Sequence, residues 1–195
     1  MIAIVDYGAG NISSVKKALE YLGATAEVTS DPQAIAAAEK LVVPGVGHFN
    51  RCRPLNRQLR LPLLDAFAGG KPFLGICVGM QWLFEGSTES PETSGAGLFQ
   101  SECSRFPAGL KCPHVGWNQI DLRKDSRLLR GIDSGAFVYY THSYRAPITE
   151  ETIATTEYGG AFSAAVERDN IFAVQFHPEK SGATGLKILE NFCAL

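Results

Sequence analysis

No run of apolar residues in this 195-residue chain approaches the roughly 20 needed to cross a bilayer as a helix, which sets aside a helical membrane span. The opening Met1-Ile2-Ala3-Ile4-Val5-Asp6 enters strand-like sequence with no basic segment ahead of it, so no secretory signal is expected. Neither sign of charge dominates: 18 Lys and Arg stand against 20 Asp and Glu, a net charge of −2 with pI about 6.1. That balance argues against generic binding to nucleic acid or to anionic membranes. The five cysteines, Cys52, Cys77, Cys103, Cys112 and Cys193, include no Cys-x-x-Cys pair. Cys103, Cys112 and His114 find no fourth ligand at zinc spacing, so no metal is expected. Free thiols without an export signal predict a cytoplasmic protein. Linkers, repeats and low-complexity segments are also missing. With 45% hydrophobic residues, positions 1–195 read as a single domain with a sizeable core.

What is present is alternation. Strand-like runs at Met1–Asp6, Thr25–Thr29, Lys40–Val43 and Phe73–Ile76 are separated by helical segments. One of these is capped by Asn11 or Ser13 and reaches about Leu22; another, Ala-rich, is capped by Asp31; a third covers Leu63–Ala68 with Pro62 in its first turn. This rhythm predicts an α/β fold with a doubly wound, mostly parallel sheet. Beyond about residue 95 the pattern becomes β-like, over Leu98–Arg105, Trp117–Leu122, Ala136–Tyr140, Thr152–Glu157, Phe162–Arg168 and Ile171–Phe176. An additional antiparallel portion is therefore expected, closed by an amphipathic helix at Gly182–Phe192. Glu89–Gly97, rich in Ser, Thr, Gly and Pro, reads as a surface loop.

The chemistry centres on Gly75-Ile76-Cys77-Val78-Gly79, where an apolar strand meets a turn and then a helix. Two glycines permit a sharp turn that lifts the cysteine side chain out of the sheet, as in a nucleophile elbow. At a helix N-terminus the backbone N–H groups favour a thiolate. Taken alone, a buried core cysteine explains the motif as well. Further along, Gln175-Phe176-His177-Pro178-Glu179 ends a strand with an imidazole and a carboxylate on the same side. By themselves these read as a solvated turn. Together with Cys77 they supply nucleophile, base and orienting acid. Pro44-Gly45-Val46-Gly47 ends the neighbouring strand, and its backbone N–H groups, with that of Val78, could face a developing oxyanion; a plain strand-to-helix turn is the alternative. Asp6-Tyr7-Gly8-Ala9-Gly10-Asn11 lacks the third glycine of a dinucleotide loop and fits an interaction loop better. Arginine clusters at Arg51–Arg60 and Arg123–Arg130 read as solvated faces.

These residues resemble the class I, or triad, glutamine amidotransferases, with Cys77 in Gly-Ile-Cys-Val-Gly-Met-Gln and His177-Pro178-Glu179. Further markers are Asp6–Asn11, Pro44–Gly47, His114-Val115-Gly116-Trp117-Asn118, Tyr140-Thr141-His142-Ser143-Tyr144 and Gln175–Ser181. Within that class they are similar to the glutaminase subunits of imidazole glycerol phosphate synthases, and the likeness spans nearly the whole chain. The resemblance implies a flavodoxin-like fold and hydrolysis of glutamine to glutamate and ammonia without a cofactor. It implies Cys77 as nucleophile, His177 as base and then acid, and Glu179 as its orienter. Gly45, Val46 and Val78 match the oxyanion region, while Gly47, Gln81, Glu89, Ser143 and Tyr144 match positions around the glutamine. The implied partner is a (β/α)8-barrel cyclase, forming a heterodimer. It receives the ammonia and releases imidazole glycerol phosphate and an aminoimidazole carboxamide ribotide in histidine biosynthesis. Asn11, Trp117, Asn118, Tyr139 and Lys180 match positions at or near that interface.

Two departures stand out. His48-Phe49-Asn50 follows Pro-Gly-Val-Gly where the family carries a small residue and glycine, and His48 reads as a loop residue. The segment after Phe84 is variable in look, which makes Glu89 the loosest match. A paralogous glutaminase feeding another synthase, for example in surface-sugar amidination, shares the same motifs. A non-catalytic subunit that only activates a barrel partner would not need an intact triad.

Overall fold

Ile2-Ala3-Ile4-Val5 is apolar at every position, which suits a strand covered on both faces, and all four residues are buried in β1 (Ile2–Val5). The computed structural model describes residues 1–195 and continues with α1 (Ile12–Tyr21), β2 (Ala26–Thr29), α2 (Pro32–Ala37) and β3 (Lys40–Gly45). A 3₁₀ helix over Phe49–Asn56, α3 (Arg60–Ala68), β4 (Phe73–Cys77) and the single turn α4 (Val78–Gln81) complete the first half. The second half holds β5 (Gly86–Ser87), β6 (Glu102–Arg105), β7 (His114–Leu122), β8 (Ala136–His142), β9 (Tyr144–Arg145), β10 (Thr152–Glu157), β11 (Ala161–Arg168) and β12 (Ile171–Val174). A 3₁₀ turn at Pro178–Lys180 leads into α5 (Gly182–Cys193).

One nine-stranded sheet runs in the order β2-β1-β3-β4-β12-β11-β10-β7-β8. From β2 to β12 every neighbour is parallel; from β12 to β8 every neighbour is antiparallel. This is the mostly parallel sheet with an antiparallel portion expected from the sequence. A small second sheet, β5-β6-β9, flanks it. A cluster of 52 buried hydrophobic residues draws on both halves. No helix is long and apolar enough to cross a membrane.

Local chemistry accounts for the boundaries. Asp31 caps α2, its Oδ1 accepting the Gln33 N–H at 3.1 Å. Asn11 occupies the N-cap position of α1 without a capping bond; its side chain is engaged elsewhere. The run at Leu98–Arg105 is strand only from Glu102, because the N–H groups of Leu98 and Phe99 both turn back to the Leu83 carbonyl. β3 extends through Gly45, and β12 stops at Val174, before the residues with functional side chains. The Glu89–Gly97 segment is a loop, but Ser90, Thr93 and Gly95 within it are buried.

Candidate active site

β3, β4 and β12 lie side by side in the parallel half, with Gly45 paired to Cys77. Their carboxyl ends, where sites gather in such sheets, carry the Gly45–Gly47 loop, Cys77 and His177. Cys77 sits at φ 55°, ψ −109°, a conformation a non-glycine residue adopts only under constraint. The two glycines of the elbow contribute space rather than positive φ. A Cβ on Gly75 would stand 2.7 Å from the Gly79 carbonyl oxygen, and one on Gly79 would collide with that of Val43. A Cβ on Gly45 would stand 2.6 Å from the Tyr7 hydroxyl and 2.7 Å from the Gly79 nitrogen. The elbow is held by close backbone packing against β3. Because α4 is only one turn, a long helix dipole does not act on the sulfur; the first-turn N–H groups, Val78 among them, remain beside it.

His177 and Glu179 do not meet as same-face strand residues. β12 has ended, Pro178 brings no N–H to a ladder, and the two side chains approach across the 3₁₀ turn, His177 Nδ1 lying 2.9 Å from Glu179 Oε1. The carboxylate can only accept, so Nδ1 carries a proton, and Nε2 is the nitrogen turned away from Glu179. Both side chains are buried, and Nε2 has no hydrogen-bond partner in the protein. Asn11 Nδ2 donates to the same Glu179 oxygen at 3.2 Å, a role that a capping signature does not disclose. The backbone is pinned as well: the His177 N–H donates to the Tyr139 carbonyl, the Tyr139 N–H to Ser181 Oγ, and the Ser181 hydroxyl to the His177 carbonyl. Burial opposes a charge on the His177 ring, but the nearby Cys77 sulfur and the Glu179 carboxylate outweigh it and raise the pKa to about 10.

Cys77 opens into a cavity of about 290 Å³ lined also by Gly47, Val78, Gln81, Glu89, Pro113, Thr141, His142, Ser143 and Tyr144. All five positions matched to glutamine, Gly47, Gln81, Glu89, Ser143 and Tyr144, therefore converge on one space. Pro113 joins them from outside any motif, and Thr141 and His142, which lie inside the Tyr140–Tyr144 marker without an assigned role, also line the space. Glu89 is anchored by the Phe49 N–H at 2.8 Å, which ties its loop to the segment after Gly47. Gly45 and Val46 stand beside the elbow without lining the cavity. His48 caps the 3₁₀ helix, its Nδ1 accepting the Asn50 N–H, and stays exposed.

Beneath the cavity wall runs a chain of buried polar groups. The Tyr144 carbonyl accepts His142 Nδ1–H at 2.9 Å; His142 Nε2 then accepts His114 Nδ1–H at 3.0 Å, and His114 Nε2 accepts from Asn118 Nδ2 at 3.3 Å. Burial lowers the pKa of His114 to about 4 and of His142 to about 3, so both are neutral links. Asn118 thus faces inward, with a further bond to the Glu157 carbonyl. Trp117 faces outward at 55% exposure, edge-on to the Tyr139 ring at 5.9 Å, with Lys180 Nζ 6.0 Å from that same ring. Trp117, Tyr139 and Lys180 thus meet at the surface, while the half-buried Asn11 is bonded to Glu179, beside Lys180, and the Asn118 side chain is engaged by His114 and the Glu157 carbonyl. Cys103 and Cys112 point to the separate carbonyls of Gln81 and Ser143.

A strained cysteine on an elbow, with a histidine–glutamate pair and a cavity beside it, is the arrangement that a triad amidotransferase would use. The family model for class-I glutamine amidotransferases matches residues 3–195. The fold is also that of the PurLQS structure from Thermotoga maritima, which superposes with a TM-score of 0.77 at 18% identity, covering 98% of this chain and 96% of that one. The chain is 50% identical to imidazole glycerol phosphate synthase subunit HisH of Thermococcus kodakarensis, over 98% of each chain. It is likewise 50% identical to subunit HisH of Methanothermobacter thermautotrophicus, over 98% of this chain and 97% of that one. The chain belongs to the class-I glutamine amidotransferases and, among them, to the HisH family.

Proposed function

We propose that this chain is the glutamine-hydrolysing subunit of an imidazole glycerol phosphate synthase. The observation that carries the reading is the convergence of Cys77 with Gly47, Gln81, Glu89, Ser143 and Tyr144 on one cavity, with the His177–Glu179 pair packed behind the sulfur. Cys77, its proton taken by His177 Nε2, attacks the side-chain carbonyl carbon of glutamine, and the Val78 N–H, with the Gly45–Val46 strand end beside it, receives the oxyanion. His177 passes its proton to the amide nitrogen, ammonia leaves, and a thioester to Cys77 remains. Water, deprotonated by His177, cleaves the thioester and releases glutamate. Glu179 fixes the His177 tautomer and stabilises the imidazolium. Ammonia then passes to a (β/α)8-barrel cyclase seated on the Trp117–Tyr139–Lys180 surface.

Glutamate release by the purified chain, measured with and without the barrel cyclase and its nucleotide ligand, tests this reading. Strong stimulation by the loaded cyclase is expected. Hydrolysis indifferent to that partner would assign the chain to another synthase, and none under either condition would make it a non-catalytic subunit. Cys77→Ser should abolish glutamine-dependent synthesis, by about a thousandfold or more, and spare synthesis fed by ammonia. Equal loss of both would refute ammonia transfer between two separate sites.

A further inference from the structure

Gln175 plays no part in the triad and does not line the cavity, yet it is fully buried and its side chain touches the sulfur. Its Nε2 lies 3.7 Å from Cys77 Sγ, within range of an N–H···S hydrogen bond. An amide viewed alone could present either end to the sulfur; here the surroundings decide. The Tyr144 carbonyl only accepts, so the Gln81 atom 2.8 Å from it must be the donor, Nε2. The second N–H of that Nε2 reaches Gln175 at 3.1 Å, which makes the facing Gln175 atom the acceptor, Oε1. The remaining end of Gln175, the NH₂ group, is then turned to Cys77. His142 Nδ1 donates to the same Tyr144 carbonyl and keeps that anchor in place. The other polar contact of the sulfur is an acceptor, the Thr141 carbonyl at 4.0 Å, which suits a thiol. A fixed N–H donor suits a thiolate.

We infer that Gln175 is a positioning residue for the nucleophile: its amide, oriented by Gln81, donates to the Cys77 sulfur and favours the ionised form. The inference rests on Cys77 being the nucleophile. It gives Gln81 two functions, because with both N–H bonds spent within the protein only its Oε1 is left for a ligand in the cavity. The donor acts together with His177. Tyr7 and Cys52 lie near the sulfur, their pKa values pushed up chiefly by burial, so they stay protonated near neutral pH, and the Glu89 carboxylate and the neutral His142 ring line the same cavity. Glu179 stands behind His177 and acts through it.

The test is the rate of Cys77 alkylation by iodoacetamide as a function of pH, followed on the Cys77 peptide by mass spectrometry in the assembled synthase, alongside glutamine kinetics. Gln175→Met keeps the length and removes the donor. Gln175→Glu keeps the shape and the acceptor for Gln81 but turns an anion to the sulfur. The alkylation midpoint should rise by about one pH unit in Gln175→Met and further in Gln175→Glu. Glutaminase kcat should fall about tenfold or more in each, with KM little changed in Gln175→Glu, which keeps the acceptor for Gln81 and does not reach the cavity. An unchanged midpoint in the isosteric Gln175→Glu would overturn the inference, as would a rise in KM at constant kcat in that same variant. Failure of the underlying reading is recognised separately, by a Cys77→Ser synthase that still hydrolyses glutamine.

Discussion

The two halves of the sheet are made differently and contribute differently. In the parallel half β1, β4 and β12 are buried at every residue, so their side chains are spent on the core and the chemistry is displaced to the loops at their carboxyl ends. In the antiparallel half β7 and β8 alternate, one row inward and one outward. The inward row carries His114 and His142, and the outward row Trp117 and Tyr139. The lesson is a division of labour. Strands covered on both faces hold the Cys77 and His177 side chains rigidly at their ends, whereas a strand pair with one free face supplies a cavity wall on one side and an exposed aromatic face on the other.

That contrast can be tested at both ends. The largest effect should come from Glu179→Gln at the end of the parallel half. It keeps the shape but loses the orienting carboxylate, so glutamine turnover should drop by about 10²–10⁴ with the thermal midpoint little changed. A collapse of the midpoint instead would make Glu179 a structural residue. Next comes Gly79→Ala, whose new methyl group would collide with the Val43 carbonyl. Calorimetry should show a loss of about 3 kcal/mol or failure to fold. A neutral outcome would mean that the elbow is not packed as tightly as the parallel half requires.

The histidine pair tests the other half. His114 and His142 have pKa values of about 4 and 3 in the folded chain against an ordinary 6.5. The unfolded chain therefore takes up protons first as pH falls below about 6.5. Stability should decline from there, the loss being complete only below about pH 3. Thermal melts from pH 7 to 4 should show the fall, and His142→Gln should flatten it. An equal slope in the variant would place the acid sensitivity elsewhere. The smallest effect on the isolated chain should be that of Trp117→Ala, with the midpoint within about 1 °C. Affinity for the barrel cyclase should nevertheless fall about tenfold or more, measurable by calorimetric titration.

Legibility followed the same division. Apolar runs, glycine-marked turns and the Cys77, His177 and Glu179 motifs made the parallel half and the edge that carries these side chains readable, because each signal is local. Asp31 as a cap, β10 at Thr152–Glu157 and α5 from Gly182 stood where the pattern placed them. Less visible was why the motifs work. The elbow glycines make room for β3 instead of adopting positive φ, and His177 meets Glu179 across a 3₁₀ turn instead of along a strand. Asn11 supports Glu179, more than a hundred positions away, and Asn118 turns toward His114 in its own strand and the Glu157 carbonyl of β10.

The residue order alone determined which groups are available for chemistry, where strands and helices alternate, and that a thiol, an imidazole and a carboxylate come at the ends of strands. Those properties depend on neighbours along the chain, through backbone sterics and the periodicity of burial. The tertiary structure decided which strand lies beside which, and hence that Thr141, His142 and Pro113 wall the cavity and that Gln81 orients Gln175 against Cys77. Such contacts depend on register and on the direction of single N–H bonds between distant segments, and both are settled only when the two halves of the sheet share one core.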